Sequence, residues 1–78
     1  MAGTVEPSVV LDLRGLKCPL PVLKTRKHLS GLPSGTLVAI ETTDPLAVID
    51  IPHMCREDDH LLVGQEKTEG GDRFLVRK

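Results

Sequence analysis

The 78-residue sequence predicts an α/β two-layer sandwich of order βαβαββ, with two helices on one face of a four-stranded mixed sheet. Three observations predict it. Two short β-branched and aliphatic runs, at residues 9–13 and 36–42, are each followed by a proline-marked helix start. Two further strand-like runs near the end are joined across Glu69-Gly70-Gly71-Asp72, a polar stretch with the glycines a hairpin needs. The length leaves room for one domain over residues 1–78, burying about 60% of the unfolded surface, and residues 1–7 are expected to be disordered.

Taken in order, Val9-Val10-Leu11-Asp12-Leu13 reads as the first strand and ends near Gly15. The first helix is expected from Pro19 to about Leu29, with Leu16, Leu20 and Leu23 spaced for one side and Val22 and Leu29 beside it. Gly31 and Pro33 stop it, and residues 36–42 form the second strand. Asp44-Pro45 reads as an N-cap followed by a proline at the first helical position, opening a second helix through Ile51. Pro52 predicts a break or kink, with His53-Met54-Cys55 as a further turn. Residues 60–65 and 73–77 complete the sheet, one face of which stays open, with Leu62 and Leu75 or their alternates as its apolar surface.

Composition narrows the function. Hydrophobic residues make up 40% of the chain, which favours a globular fold over disorder. Phe74 is the single aromatic and the net charge is −1, which argues against direct nucleic-acid binding. Residues 1–30 hold five Lys or Arg against two acids, whereas residues 41–60 hold six acids against one Arg. Such polarity can steer a docking partner or be a solvated surface, and both readings stand. No secretory signal or membrane span is visible, so a cytoplasmic protein without membrane contact is expected. In that reducing setting Cys18 and Cys55 read as thiols rather than a structural disulfide.

Cys18-Pro19-Leu20-Pro21 is the stretch that carries chemistry. Two prolines at this spacing fit a helix only in its first turn, which puts Cys18 at the helix start. The positive end of the helix, with Lys17 and Arg14 near in sequence, is expected to ease thiolate formation. The helix end supplies only about 0.3–1 kcal/mol, too little to make a strong nucleophile. A sulfur carrier needs less than a hydrolase: it attacks a donor persulfide and presents its own. The alternative reading is a small buried Cys18 with prolines that merely start a helix.

Leu11-Asp12, followed by Gly15-Leu16-Lys17-Cys18-Pro19-Leu20-Pro21-Val22, resembles the opening of the TusA-like (SirA) sulfurtransferase family. Asp44-Pro45, Asp50-Ile51-Pro52 and Cys55 are similar to its second-helix pattern, so the resemblance spans nearly the whole chain. It implies a fold like the C-terminal domain of a translation initiation factor, and Cys18 as the catalytic residue that accepts sulfane sulfur. It also implies a relay from a cysteine desulfurase or other sulfur donor protein to a downstream acceptor protein, as in tRNA thiolation, molybdenum cofactor supply or sulfur oxidation. No cofactor is implied. Leu20, Val48 and Ile49 are apolar where many members carry an acidic residue or polar and basic residues, which bears on the docking surface.

The supporting residues expected around Cys18 are Arg14, Lys17, Pro19, Pro21, Lys24 and Lys27. Lys24, Arg26 and Lys27 suit the carbonyl end of a helix in any case, or form with Lys17 a basic rim for acidic partners, and His28 is a polar residue near the same end. Cys55 reads as a packed core cysteine rather than a resolving thiol. His53, Cys55, His60 and Cys18 lack the paired spacing of a zinc site, so no metal is expected. Two other functions remain open from sequence: a noncatalytic binding or regulatory module, and a thiol redox protein cycling Cys18 against Cys55.

Overall fold

The computed structural model describes residues 7–78, so the expected disorder over 1–7 falls, Pro7 apart, outside the described residues. The elements are β1 (Val9–Asp12), α1 (Leu20–Ser30), β2 (Leu37–Thr42), α2 (Ala47–Glu57), β3 (Leu61–Thr68) and β4 (Gly71–Arg77), in the expected order. The sheet runs β1-β2-β4-β3, with β1 parallel to β2 and the other neighbours antiparallel. Period-two alternation sends Val38 and Ile40 of β2 and Phe74 and Val76 of β4 to one face. There they form one core with Leu11, Leu29 of α1, and Ile51, Met54 and Cys55 of α2. Both helices therefore cover the same sheet face.

The buried stripe of α1 is Pro21, Thr25 and Leu29, spaced four apart. Leu20 and Leu23, expected on one side with Leu16, are instead 42% and 53% exposed. The stripe that starts at Pro21 faces α2 and the sheet, and it rotates those two leucines outward.

The N-cap role expected of Asp44 is realised in a turn before α2. Its Oδ1 accepts the Leu46 N–H at 3.1 Å and its carbonyl accepts the Ala47 N–H at 3.0 Å, an Asx turn that feeds the helix. The break expected at Pro52 does not occur: α2 is continuous to Glu57, with Pro52 inside it. Proline removes one ladder hydrogen bond there, while the burial of Ile51, Met54 and Cys55 on either side holds the helix against the sheet.

The hairpin is tighter than expected, since Thr68 pairs with Gly71 and only Glu69 and Gly70 make the turn. Gly70 has φ +84°, a conformation that favours glycine. A bulge between Leu62 and Gly64 separates the two leucines assigned to the open face. Leu62 pairs with the buried Val76 and packs on the core, whereas Leu75 lies opposite Ala39 and Gly64 on the open face.

Gly71 lies against β2, where a Cβ would overlap the Thr42 carbonyl oxygen and come within 2.9 Å of the Thr43 Cα. Gly71→Ala is expected to lower the unfolding free energy by about 2–3 kcal/mol, read from a denaturant midpoint. An unchanged midpoint would contradict this packing.

Candidate functional site

Because β1 and β2 are parallel neighbours, the loops that leave them emerge at the same edge of the sheet. Residues 13–19 lead into α1 and residues 43–46 lead into α2, and the two loops are tied together. The Gly15 N–H donates to Thr43 Oγ1 at 2.8 Å, and the Cys18 N–H donates to Asp44 Oδ2. The second tie fixes the backbone of Cys18 directly, while the Leu20 N–H donates to the Lys17 carbonyl at 2.8 Å and starts the helix behind it. The peptide bond between Cys18 and Pro19 is cis.

The Cys18 side chain is exposed at this junction. It borders two depressions. One, of about 500 Å³, lies between the loops and is lined by Gly15, Leu16, Lys17, Thr43, Pro45 and Leu46 among others. The other, of about 180 Å³, lies between the helices and is lined by Pro19, Val22, Arg26, Asp50, His53 and Glu57 among others. Cys18 is common to both, so its sulfur can be approached from either side.

Electrostatics differ from the sequence expectation. The Cys18 thiol donates to Asp50 Oδ2 at 3.0 Å, and this hydrogen bond, followed by desolvation and the negative charges of Asp50 and Asp44, raises the thiol pKa above its ordinary value. The easing expected from the helix end, about 0.3–1 kcal/mol, is outweighed by a carboxylate in direct contact. Nor does Arg14 lend charge to the sulfur. Its guanidinium is a fork on Asp12, Nε to Oδ1 at 2.7 Å and Nη2 to Oδ2 at 2.9 Å, and holds that carboxyl down to about 2. The folded-state depression means that the pair's small stabilisation is present above the unfolded carboxylate range near about 3.9 and is lost only as pH falls through that lower value.

Of the other residues singled out from sequence, Lys17 and Pro19 line the depressions beside Cys18. Pro21 is buried in the first turn of α1. Lys24 and Lys27 are exposed along α1 and line neither depression, while Arg26 spends its charge on Asp58 at 2.8 Å and Glu57 at 3.0 Å. The opposite charges of the two chain halves are therefore partly consumed in ion pairs between the helices. Cys55 is 2% exposed in the core, with its thiol pKa pushed up chiefly by burial, which removes support from a Cys18–Cys55 redox couple. His53 pairs with Glu57 at 3.3 Å and the His60 N–H donates to the Cys55 carbonyl. Among the described residues no group of three or more His, Cys, Asp or Glu is arranged to hold a metal ion.

Asp44 and Asp50 are the site residues that sequence reasoning missed. Both were visible, Asp44 as a cap and Asp50 as part of the resemblance in Asp50-Ile51-Pro52, but their partner lies 26 and 32 residues away. The parallel pairing of β1 and β2, with both loops at the carboxyl ends of the strands, is the signal that could have found them. Four large apolar side chains of the two helices and the loop before α2 are exposed: Leu20, two residues after Cys18, Leu23, Leu46, which lines the larger depression, and Ile49, the last 64% exposed.

Comparison with known proteins now decides the family, since the model described as "Sulfurtransferase TusA" matches residues 9–78. The chain belongs to the sulfurtransferase TusA family. The crystal structure of a SirA-like protein from Desulfitobacterium hafniense superposes with a TM-score of 0.73 at 20% sequence identity, covering 88% of this chain and 95% of that one. That likeness shows the fold, and the TusA match shows a sulfurtransferase or sulfur-carrier role at the level of the family, whose members work in sulfur relay with partner proteins. Among the described residues of this TusA-family chain, no helix is long and apolar enough to cross a membrane.

The raised thiol pKa has a direct readout. Alkylation follows the thiolate, so the rate at Cys18 is expected to be still climbing at about pH 9, above the ordinary thiol midpoint near about 8.5. A plateau below that midpoint would contradict the Asp50 contact. Cys55 is expected to react only on unfolding.

Proposed function

We propose that this chain is a sulfur carrier in which Cys18 accepts sulfane sulfur as a persulfide and relays it to an acceptor protein. The observation that carries the reading is the exposed Cys18 sulfur, held by Asp44 at a loop junction and open from two sides, in a chain of the TusA family. In uptake, Sγ bonds to the terminal sulfur of a donor persulfide, the donor's S–S bond breaks, and the donor leaves as a thiol. Delivery is the same exchange with Cys18 as the leaving group.

A relay between proteins needs a docking surface as well as a thiol. Exposed Leu20 and Leu46 supply apolar area beside Cys18, with Leu23 and Ile49 exposed further along the helices, and Lys17 in the larger depression, with Lys24 and Lys27 along α1, supplies cations for an acidic donor. The donor class is a cysteine desulfurase or another persulfide-bearing protein. The acceptor class is a protein of tRNA thiolation, molybdenum cofactor supply or sulfur oxidation. The reading places the carrier in the cytoplasm, and it needs no resident cofactor.

Incubation with a cysteine desulfurase and cysteine is expected to add one sulfur atom to the intact mass. Cys18→Ser should abolish the gain and Cys55→Ser should spare it. Loading that survives Cys18→Ser, or requires Cys55, would overturn the assignment. Reversing Lys24 and Lys27 together to Glu is expected to slow loading from the desulfurase by about tenfold at low salt, while leaving loading from a small persulfide unchanged. Equal rates from the desulfurase would reject the basic rim.

A further inference from the structure

Asp50 stands in contact with the reacting atom, since its Oδ2 accepts the Cys18 S–H at 3.0 Å. Its neighbours leave it free for chemistry. Asp44, the other carboxylate at the junction, has both oxygens occupied by backbone N–H groups of Cys18 and Leu46. In the depression between the helices, Arg26 is committed to Asp58 and Glu57, and His53 to Glu57. Among the described residues no cation pairs with Asp50, and its only side-chain hydrogen bond is the one it accepts from Cys18. Asp50 sits half-exposed on α2, a helix anchored in the core by Ile51 and Met54.

A carboxylate in this position works against a thiolate at rest, yet sulfur exchange through the thiol must shed a proton. We propose that Asp50 is a catalytic base that takes the Cys18 proton during sulfur uptake and returns it to the departing donor sulfur. The inference rests on the carrier reading above. Before bonding, the transfer from thiol to carboxylate is uphill, because a carboxylic acid is a stronger acid than a thiol. As Sγ shares its lone pair with the donor's terminal sulfur its proton becomes acidic, and the carboxylate is in place to receive it. The Sγ–S bond forms, the donor's S–S bond breaks with its electron pair on the donor sulfur, and the proton passes from Sγ through Asp50 to that sulfur. Cys18 is oxidised to the persulfide and the donor is reduced to a thiol, so no other oxidant or reductant enters.

Two reagents separate this role from simple suppression of the thiolate. Iodoacetamide expels iodide and needs no proton, so its rate follows the thiolate fraction alone. Glutathione persulfide expels a thiolate that is better protonated, and it needs no protein docking surface. At neutral pH, D50N and D50A are expected to be alkylated several-fold faster than the wild type but loaded with sulfur at least about tenfold more slowly. Added formate should restore part of the loading in D50A without changing its alkylation. Alanine is the better helix former, so D50A carries the test if D50N does not fold. Loading that rises in step with alkylation in either variant, or formate with no effect on loading in D50A, would overturn the base. A wild-type protein that takes no sulfur from glutathione persulfide or from a desulfurase would overturn the carrier reading itself.

Discussion

Val9 to Asp12 pair in parallel with Val38 to Glu41, and two parallel neighbours must send their outgoing loops to the same edge of the sheet. From that pairing the rest of the site follows. The loop after β1 carries Cys18 and the loop after β2 carries Asp44, so the carboxylate can seize the Cys18 N–H and hold the sulfur where both loops meet solvent. The same geometry sets the first turn of α2 beside the thiol and brings Asp50 into contact with it. The core beneath, from Leu11 through Val38, Ile40 and Phe74 to Ile51 and Met54, fixes the distance between the two helices. Its burial holds both helices against the same sheet face.

The charge arrangement around the sulfur is opposite to that of a resting thiolate nucleophile. A helix start alone would draw the thiol pKa down slightly, but two carboxylates nearby raise it. For a carrier this is a workable balance. A neutral thiol is less open to adventitious alkylation and oxidation. Of the cations singled out from sequence, Lys17 lines the depression beside Cys18, whereas Arg14 pairs with Asp12 at the end of β1 and Arg26 ties α1 to the end of α2.

Much of this was legible along the chain. The strands follow from β-branched runs bounded by glycine and proline, and Cys-Pro-Leu-Pro marks a helix start because prolines at that spacing are tolerated only there. Cys55 was legible as a core residue from its apolar neighbours, and it is buried. What was not legible depends on distance in sequence or on rotation of an element. The approach of Asp44 and Asp50 to Cys18 is a consequence of strand pairing that local spacing does not contain. The outward turn of Leu20 and Leu23 depends on which stripe of α1 meets α2, and Thr25, a polar residue, occupies the buried position that an apolar count overlooks. The continuity of α2 through Pro52 was not legible because the cost of one missing hydrogen bond is visible in sequence while the packing that offsets it is not. The bulge at Leu62/Gly64 likewise divides two leucines that alternation alone would treat together.

Most directly, the central claim is tested by peptide mapping of the protein taken from cells without reductant, trapped at once and fragmented so that Cys18 and Cys55 lie on separate peptides. Carriage of sulfur by the cell's own supply predicts one additional sulfur atom on the peptide bearing Cys18, removed by a reducing agent, and none on the peptide bearing Cys55. Additional sulfur found only at Cys55, or at neither cysteine in cells with an active sulfur supply, would contradict the account.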